Sequence, residues 1–200
     1  MTFVNRGRPR EFDLDKILDA MITTFSIQGF HATSVQDLVT STGLAQGSLY
    51  KAFRDKNHIF QSVFERYRAV RMAKIMQAIA DGTSGFDQLS RVLQVYVQSS
   101  QGDEGKQGCL VVSSLMELAS FEPEMIKKIS CALESNQQLL FKLITLGQQD
   151  GSIRRDMNGQ DVALHMLCLI QGMRVVAKTG KYQAEQMQHV VDLALIQMKV

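Results

Sequence analysis

The sequence predicts an all-α protein of about nine helices. Three observations carry that reading. Apolar residues recur every three to four positions along most of the 200 residues, no stretch alternates as a strand would, and the only prolines are Pro9 and Pro123. Hydrophobic residues make up 45% of the chain, which leaves enough apolar surface to build a real core in one or two domains.

The first helix is expected from an Asp13 cap to Gln28, with Ile17, Leu18, Met21 and Phe25 as its apolar stripe and Gly29 closing it. Thr33 to Lys56 then reads as two short helices joined by a glycine turn. Thr33 suits the cap of the first, and Gln36 completes a capping-box pattern. Val35, Leu38 and Val39 share one face. Gly43 stands where the chain must turn, a position that favours a left-handed residue. Leu44, Leu49 and Phe53 give the second short helix a buried side, which leaves Gln46, Gly47, Ser48, Tyr50 and Lys51 on or near its exposed side. Gly47 costs roughly 1 kcal/mol relative to alanine inside a helix, which suggests that something approaches the backbone there. Two helices joined this tightly, with small residues opening the second, have the form of a helix-turn-helix, whose second helix enters the major groove of DNA.

Asp55 caps a long helix reaching Ala80, with Ile59, Phe60, Val63, Phe64 and Tyr67 inward. The run Asp81-Gly82-Thr83-Ser84-Gly85 is a break and the best domain boundary. A helix over 86–99 follows, then a polar loop over 101–108 with three glycines and a helix over 109–120. Pro123 suits the first turn of a long helix ending near Gln149. Asn158 caps a helix to about Thr179, and the last helix runs over 183–199. The expected organisation is a DNA-binding head over 1–55, a connecting helix over 56–81, and an effector-binding and dimerisation body over 82–200.

Charge agrees with that division. Residues 1–80 hold 11 Lys and Arg against 7 Asp and Glu, whereas residues 81–200 hold 11 against 13. No apolar run approaches the ~20 residues that span a bilayer, and no apolar segment follows the basic N-terminus as in a secretory signal. Three widely spaced cysteines make no disulfide framework, so a cytoplasmic protein is expected. His31, His58, His165 and His189 are scattered. There is no nucleophile–base pair, metal-ligand cluster or phosphate-binding glycine motif, so neither an enzyme nor a metal or other cofactor is expected. His165 and Cys168 share a helix face, but two ligands do not make a metal site.

Gly29-Phe30, Ala32-Thr33-Ser34, Asp37-Leu38, Thr42-Gly43-Leu44, Gly47-Ser48-Leu49-Tyr50, Phe53 and Asp55-Lys56 together resemble the TetR/AcrR family of bacterial transcriptional regulators. The resemblance is specific over about residues 12–65. Val39, Ala45 and Ala52 depart from it, standing where a small residue, a capping Ser or Thr and a His are common. The resemblance implies a homodimer on double-stranded DNA with a palindromic operator, most often a repressor, released when a small-molecule effector shifts the fourth helix. By position in the motif, Gln46, Gly47, Ser48, Tyr50 and Lys51 face DNA, with Gln46 and Lys51 suited to adenine and guanine edges and Tyr50 to phosphate. Thr33 and Lys56 stand at helix starts that suit phosphate. The arm Arg6, Arg8 and Arg10 suits a minor groove or a run of phosphates.

In the body, Leu89, Leu93, Tyr96, Cys109, Met116, Phe141 and Met173 are candidate walls of a mainly apolar effector pocket. Met125 and Met166 add to a methionine-rich body of the kind that adapts to ligands or simply fills a core. Val162, Leu169, Gly172, Met173, Val176, Met187, Val190, Val191, Ala194 and Met198 are candidate dimer-interface residues. Cys109 opens a helix near Lys106, and both features favour a thiolate. That raises a thiol sensor of electrophiles or oxidants as an alternative, beside a small apolar residue of the core. Cys131 and Cys168 are expected to be buried and inert. A helical ligand carrier that binds no DNA is the alternative from another class.

Overall fold

The computed structural model describes residues 13–200, which fold into ten α-helices and one 3-10 turn with no strand among them. The helices are α1 Leu14–Gln28, α2 Val35–Thr42, α3 Gln46–Ala52, α4 Lys56–Ala80, α5 Gly85–Ser99, α6 Gly102–Gln107, α7 Leu110–Met116, α8 Pro123–Asp150, α9 Gly159–Ala177 and α10 Ala184–Ile196. The all-α class is as the sequence predicts. The main addition is α6, a six-residue helix inside the stretch 101–108. Gly102 and Gly108 take positive φ at its two ends, so the glycines read as loop signals mark its boundaries. The helix expected over 109–120 breaks after Met116 and resumes as a 3-10 turn, Leu118–Ser120.

Local chemistry fixes most helix ends. The side chains of Asp13, Asp55, Ser84 and Asn158 accept hydrogen bonds from the backbone N–H groups of the helices they cap. Pro123 occupies the first turn of α8, and Gly151 ends it in the left-handed region. Near Gly151, α5 and α8 cross backbone to backbone: a Cβ placed on Gly85 would lie 2.0 Å from the Gly147 nitrogen.

Two apolar cores result, and they do not follow the sequence division at residue 81. The first joins α1 to α3 and the start of α4 with Cys109, Leu110, Val111, Phe121, Ile129 and Ala132 from the body. Its centre is aromatic, with Phe60 set 5.0 Å from each of Phe25, Phe30 and Phe121, ring centre to ring centre. The second core is made by α5, α9, α10, the second half of α8 and Ile75. Helix α4 belongs to both, so a shift of α4 in the body is felt in the head.

Candidate DNA interface and ligand cavity

The helix-turn-helix is built as its residue types require, with one correction. The cap of α2 is Ser34, not Thr33, and its capping-box partner is Asp37, not Gln36. Asp37 N–H donates to Ser34 Oγ at 3.1 Å, and Ser34 N–H and Oγ–H donate to Asp37 Oδ2 at 2.8 and 2.6 Å. These hydrogen bonds, the Ser34 hydroxyl first, hold the Asp37 carboxyl below its ordinary range. Thr33 is buried and donates its hydroxyl inward to the Gly29 carbonyl at 2.6 Å, so its side chain stabilises the turn. Gly43 takes φ 67°, ψ 11° and donates its N–H to Val39, which ends α2 with a left-handed residue.

Helix α3 starts from Ala45 with no side-chain cap and is pinned by the buried Leu49 and Phe53. Gln46, Gly47, Tyr50 and Lys51 are exposed, and Ser48 is half-buried. A Cβ on Gly47 would meet nothing among the described residues within 4 Å, so their packing does not demand glycine there. Lys56 departs from expectation. Its ammonium folds back to donate to the His31 carbonyl at 3.2 Å and lies 4.6 Å over the Phe30 ring. Burial pushes it below the usual lysine range, against the pull of Glu117 and Asp37. In this conformation Lys56 clamps the α1–α2 turn. Arg6, Arg8 and Arg10 lie outside the described residues.

Sequence reasoning missed Glu117. It stands between α7 and the 3-10 turn, and its Oε2 accepts the Phe30 N–H at 2.6 Å and the His31 N–H at 3.3 Å. Lys178, the residue that follows α9, donates to the Ile27 carbonyl at 3.2 Å. A carboxylate and an ammonium of the body thus hold the end of α1 and the turn that leads into α2. Contacts 86 or more residues apart leave no local signal in a sequence.

A partly open cavity of about 270 Å³ is bordered by α4, α5, α8 and α9 together with the start of α7. Tyr96 and Cys109 line it, as expected. Leu89, Leu93 and Met173 do not; they are packed into the second core because the inner face of α5 turns toward α8 and α10. Phe141 packs against the same core. Met116 is 76% exposed and borders a separate surface hollow between α7 and α9. The cavity is also less apolar than expected. Beside Met72, Ile75, Val111 and Ala132 stand Tyr67, Arg68, Arg71, Asn136 and Gln171.

The polar groups there are unequal. Arg71 donates to Glu104 at 2.8 Å and to the Ser99 hydroxyl, so its charge is matched. Burial pushes the Tyr67 phenol well above its ordinary range and Tyr96 up to about 12, so both are neutral at pH 7. Behind the cavity, buried Arg174 donates to the carbonyls of Ser99 and, at 2.6 Å, of Gly108, tying α9 to both ends of the α6 segment.

Two cysteine expectations change. Cys109 is only 9% exposed, and its Sγ lies 3.3 Å from the Tyr67 hydroxyl, while Lys106 packs away from it against Gly180. Cys168 is exposed and Cys131 half-buried, so neither is a buried core residue. His165 is exposed beside Cys168, and no group of three or more His, Cys, Asp or Glu able to hold a metal occurs among the described residues. Of the candidate dimer residues, Val162, Met173, Met187, Val191 and Met198 are buried in the chain's own core and are unavailable to a second copy. Leu169 and Ala194 are half-buried, and Gly172, Val176 and Val190 are exposed. Among the described residues no helix is long and apolar enough to cross a membrane.

Known proteins agree with this architecture. Residues 17–63 match the model of the tetR family of bacterial regulatory proteins, and residues 85–191 match the tetracyclin repressor-like C-terminal domain. The chain is 26% identical over 185 residues to the HTH-type transcriptional repressor ComR of Escherichia coli strain K12, covering 92% of this chain and 88% of that one. It is 24% identical over 193 residues to the uncharacterized HTH-type transcriptional regulator YezE of Bacillus subtilis strain 168, covering 94% and 97%. Among solved structures it is similar to a cysteine mutant of the TetR family regulator CifR complexed with 26-base-pair double-strand operator DNA. That match has 25% identity, a TM-score of 0.82, and 94% and 98% coverage. The protein is a DNA-binding regulator and not an enzyme. With family models matched at both its head and its body, the chain belongs to the tetR family of bacterial regulatory proteins.

Proposed function

We propose that the protein is a cytoplasmic repressor that binds a palindromic operator as a homodimer and is released by a small effector in the body cavity. The observation that carries this reading is the edge of α3. Gln46, Gly47, Tyr50 and Lys51 are exposed together on a helix held rigidly by Leu49, Phe53 and the Gly43 turn. One such helix reads only a few base pairs, so two copies related by two-fold symmetry need an inverted repeat. The second copy has a surface to occupy, because Leu164, Val175 and Val176 of α9 and Val190, Leu193 and Ile196 of α10 are exposed apolar side chains at helical spacing. Release requires an effector that binds the DNA-incompetent dimer more tightly than the competent one.

The test is selection of bound sites from random DNA. Inverted repeats are expected, and Gln46→Ala is expected to relax preference at one position of each half-site, a loss of about 1–3 kcal/mol in discrimination. Asymmetric sites, or a motif unchanged in Gln46→Ala, would reject the reading.

One observation favours a second route into the same switch. The Cys109 thiol forms part of the cavity wall next to Tyr67, so an electrophile entering the cavity meets it. Alkylation at Sγ would add bulk where α4 and α7 meet. Cys109→Ser should abolish a response to an alkylating reagent and leave a noncovalent effector almost untouched. Full operator affinity in treated wild-type protein would exclude this route.

A further inference from the structure

We propose that the cavity takes a small organic anion, a monocarboxylate with an apolar body, whose acid group pairs with Arg68. The inference rests on reading the cavity as the effector site and adds the chemical class of the effector. Three observations carry it. Arg68 and Arg71 both line the cavity, and its walls contain no Asp or Glu. Arg71 is neutralised by Glu104, whereas Arg68 has no carboxylate within ion-pair distance among the described residues; its one side-chain bond is a long 3.4 Å contact to the Ser135 hydroxyl. That hydroxyl already donates to the Cys131 carbonyl at 2.6 Å, so it offers Arg68 only a neutral acceptor.

A cation held at the wall of an apolar cavity and not matched by an anion of the protein favours a ligand that brings the anion. A neutral apolar ligand would shield Arg68 from water and give nothing in return. The two phenols do not supply the missing charge, since both stay protonated at neutral pH. Met72, Ile75, Val111 and Ala132 take the apolar body. A volume of about 270 Å³ fits roughly ten non-hydrogen atoms, at about 30 Å³ for each water-sized unit.

The probes are two matched pairs, hexanoate with hexanamide and 3-phenylpropionate with 3-phenylpropanamide. Each is titrated calorimetrically into the full-length protein without DNA, and operator release is followed in parallel by fluorescence anisotropy. At least one acid should bind tenfold or more tightly than its amide. Arg68→Met should weaken that acid about tenfold or more and leave the amide unchanged, as expected for loss of a charged hydrogen bond. Arg68→Lys should restore part of the preference. Thermal melts check that the variants fold. Amides binding as well as acids, no binding by either acid, or a preference that survives Arg68→Met would overturn the anion site. Acid binding that depends on Arg68 but releases no operator would uphold the site and defeat the effector reading, so the two fail separately.

Discussion

The second residue of α3 is a glycine that the described residues do not require. Gly47 is exposed and a Cβ there meets no atom of the described residues, so Gly47→Ala should fold at least as well, with a gain smaller than the roughly 1 kcal/mol of a helix interior. If backbone is kept bare for DNA, the same variant should lose operator affinity. A stabilised variant with full affinity, measured by thermal melting and anisotropy, would leave the glycine without a function. Asp37 allows a pH prediction. Its folded carboxyl titrates below the ordinary 3.8, so its contribution is complete above that value and is lost as pH falls through the folded value. The melting temperature of Asp37→Asn should therefore lie below wild type at pH 7, and the gap should close as the pH drops below about 4.

Between elements, two contacts decide how the head is held and how the body packs. The crossing of α5 over α8 leaves no room for a side chain at Gly85, where the obstacle is the Gly147 backbone. Gly85→Ala must force the helices apart and should cost about 1–3 kcal/mol, read by chemical denaturation. Glu117 is the acceptor for the Phe30 and His31 amides across the head–body boundary. Glu117→Ala leaves a part-buried N–H unpaired, so a loss of roughly 1–3 kcal/mol is expected. Hydrogen exchange at those two amides should speed up while exchange in α9 stays unchanged. Because α7 starts at the cavity wall and ends at this carboxylate, the same contact joins the cavity wall to the head.

For the whole molecule, the exposed apolar stripes of α9 and α10 are the surface that the proposed homodimer would cover. Leu193 and Ile196 are 68% and 67% exposed, and Leu164 is 49% exposed on the neighbouring face. Leu193→Glu should leave helix content unchanged, since the side chain touches little of its own fold. It should shift sedimentation from dimer toward monomer and lower operator affinity with it. A variant that stays dimeric would move the interface elsewhere.

The sequence by itself determined what is local. Periodicity, the caps at Asp13, Asp55 and Asn158, Pro123 and the Gly43 turn set the ends of α1, α2, α4, α8 and α9 within a residue or two, because each signal acts over one helical turn, whereas the helices expected over 109–120 and 183–199 end earlier, at Met116 and Ile196. The exposed edge of α3 was legible for the same reason: Leu49 and Phe53 fix which side is buried. Thr33 and Ser34 show the limit, since two adjacent hydroxyl residues both suit a cap and only the fold shows that Thr33 turns inward to Gly29. Everything that depended on which helix faces which was left to the tertiary structure. Periodicity marks Leu89, Met173 and Val191 as inward but cannot say whether inward means core, cavity or partner. The Lys56 clamp and the Glu117 latch join residues 25 and more apart, and the charge at the cavity wall comes from Arg68 and Arg71 on a helix that reads from sequence as a connector. Packing free energy is shared among residues distant in the chain, so only the folded chain decides where those side chains meet.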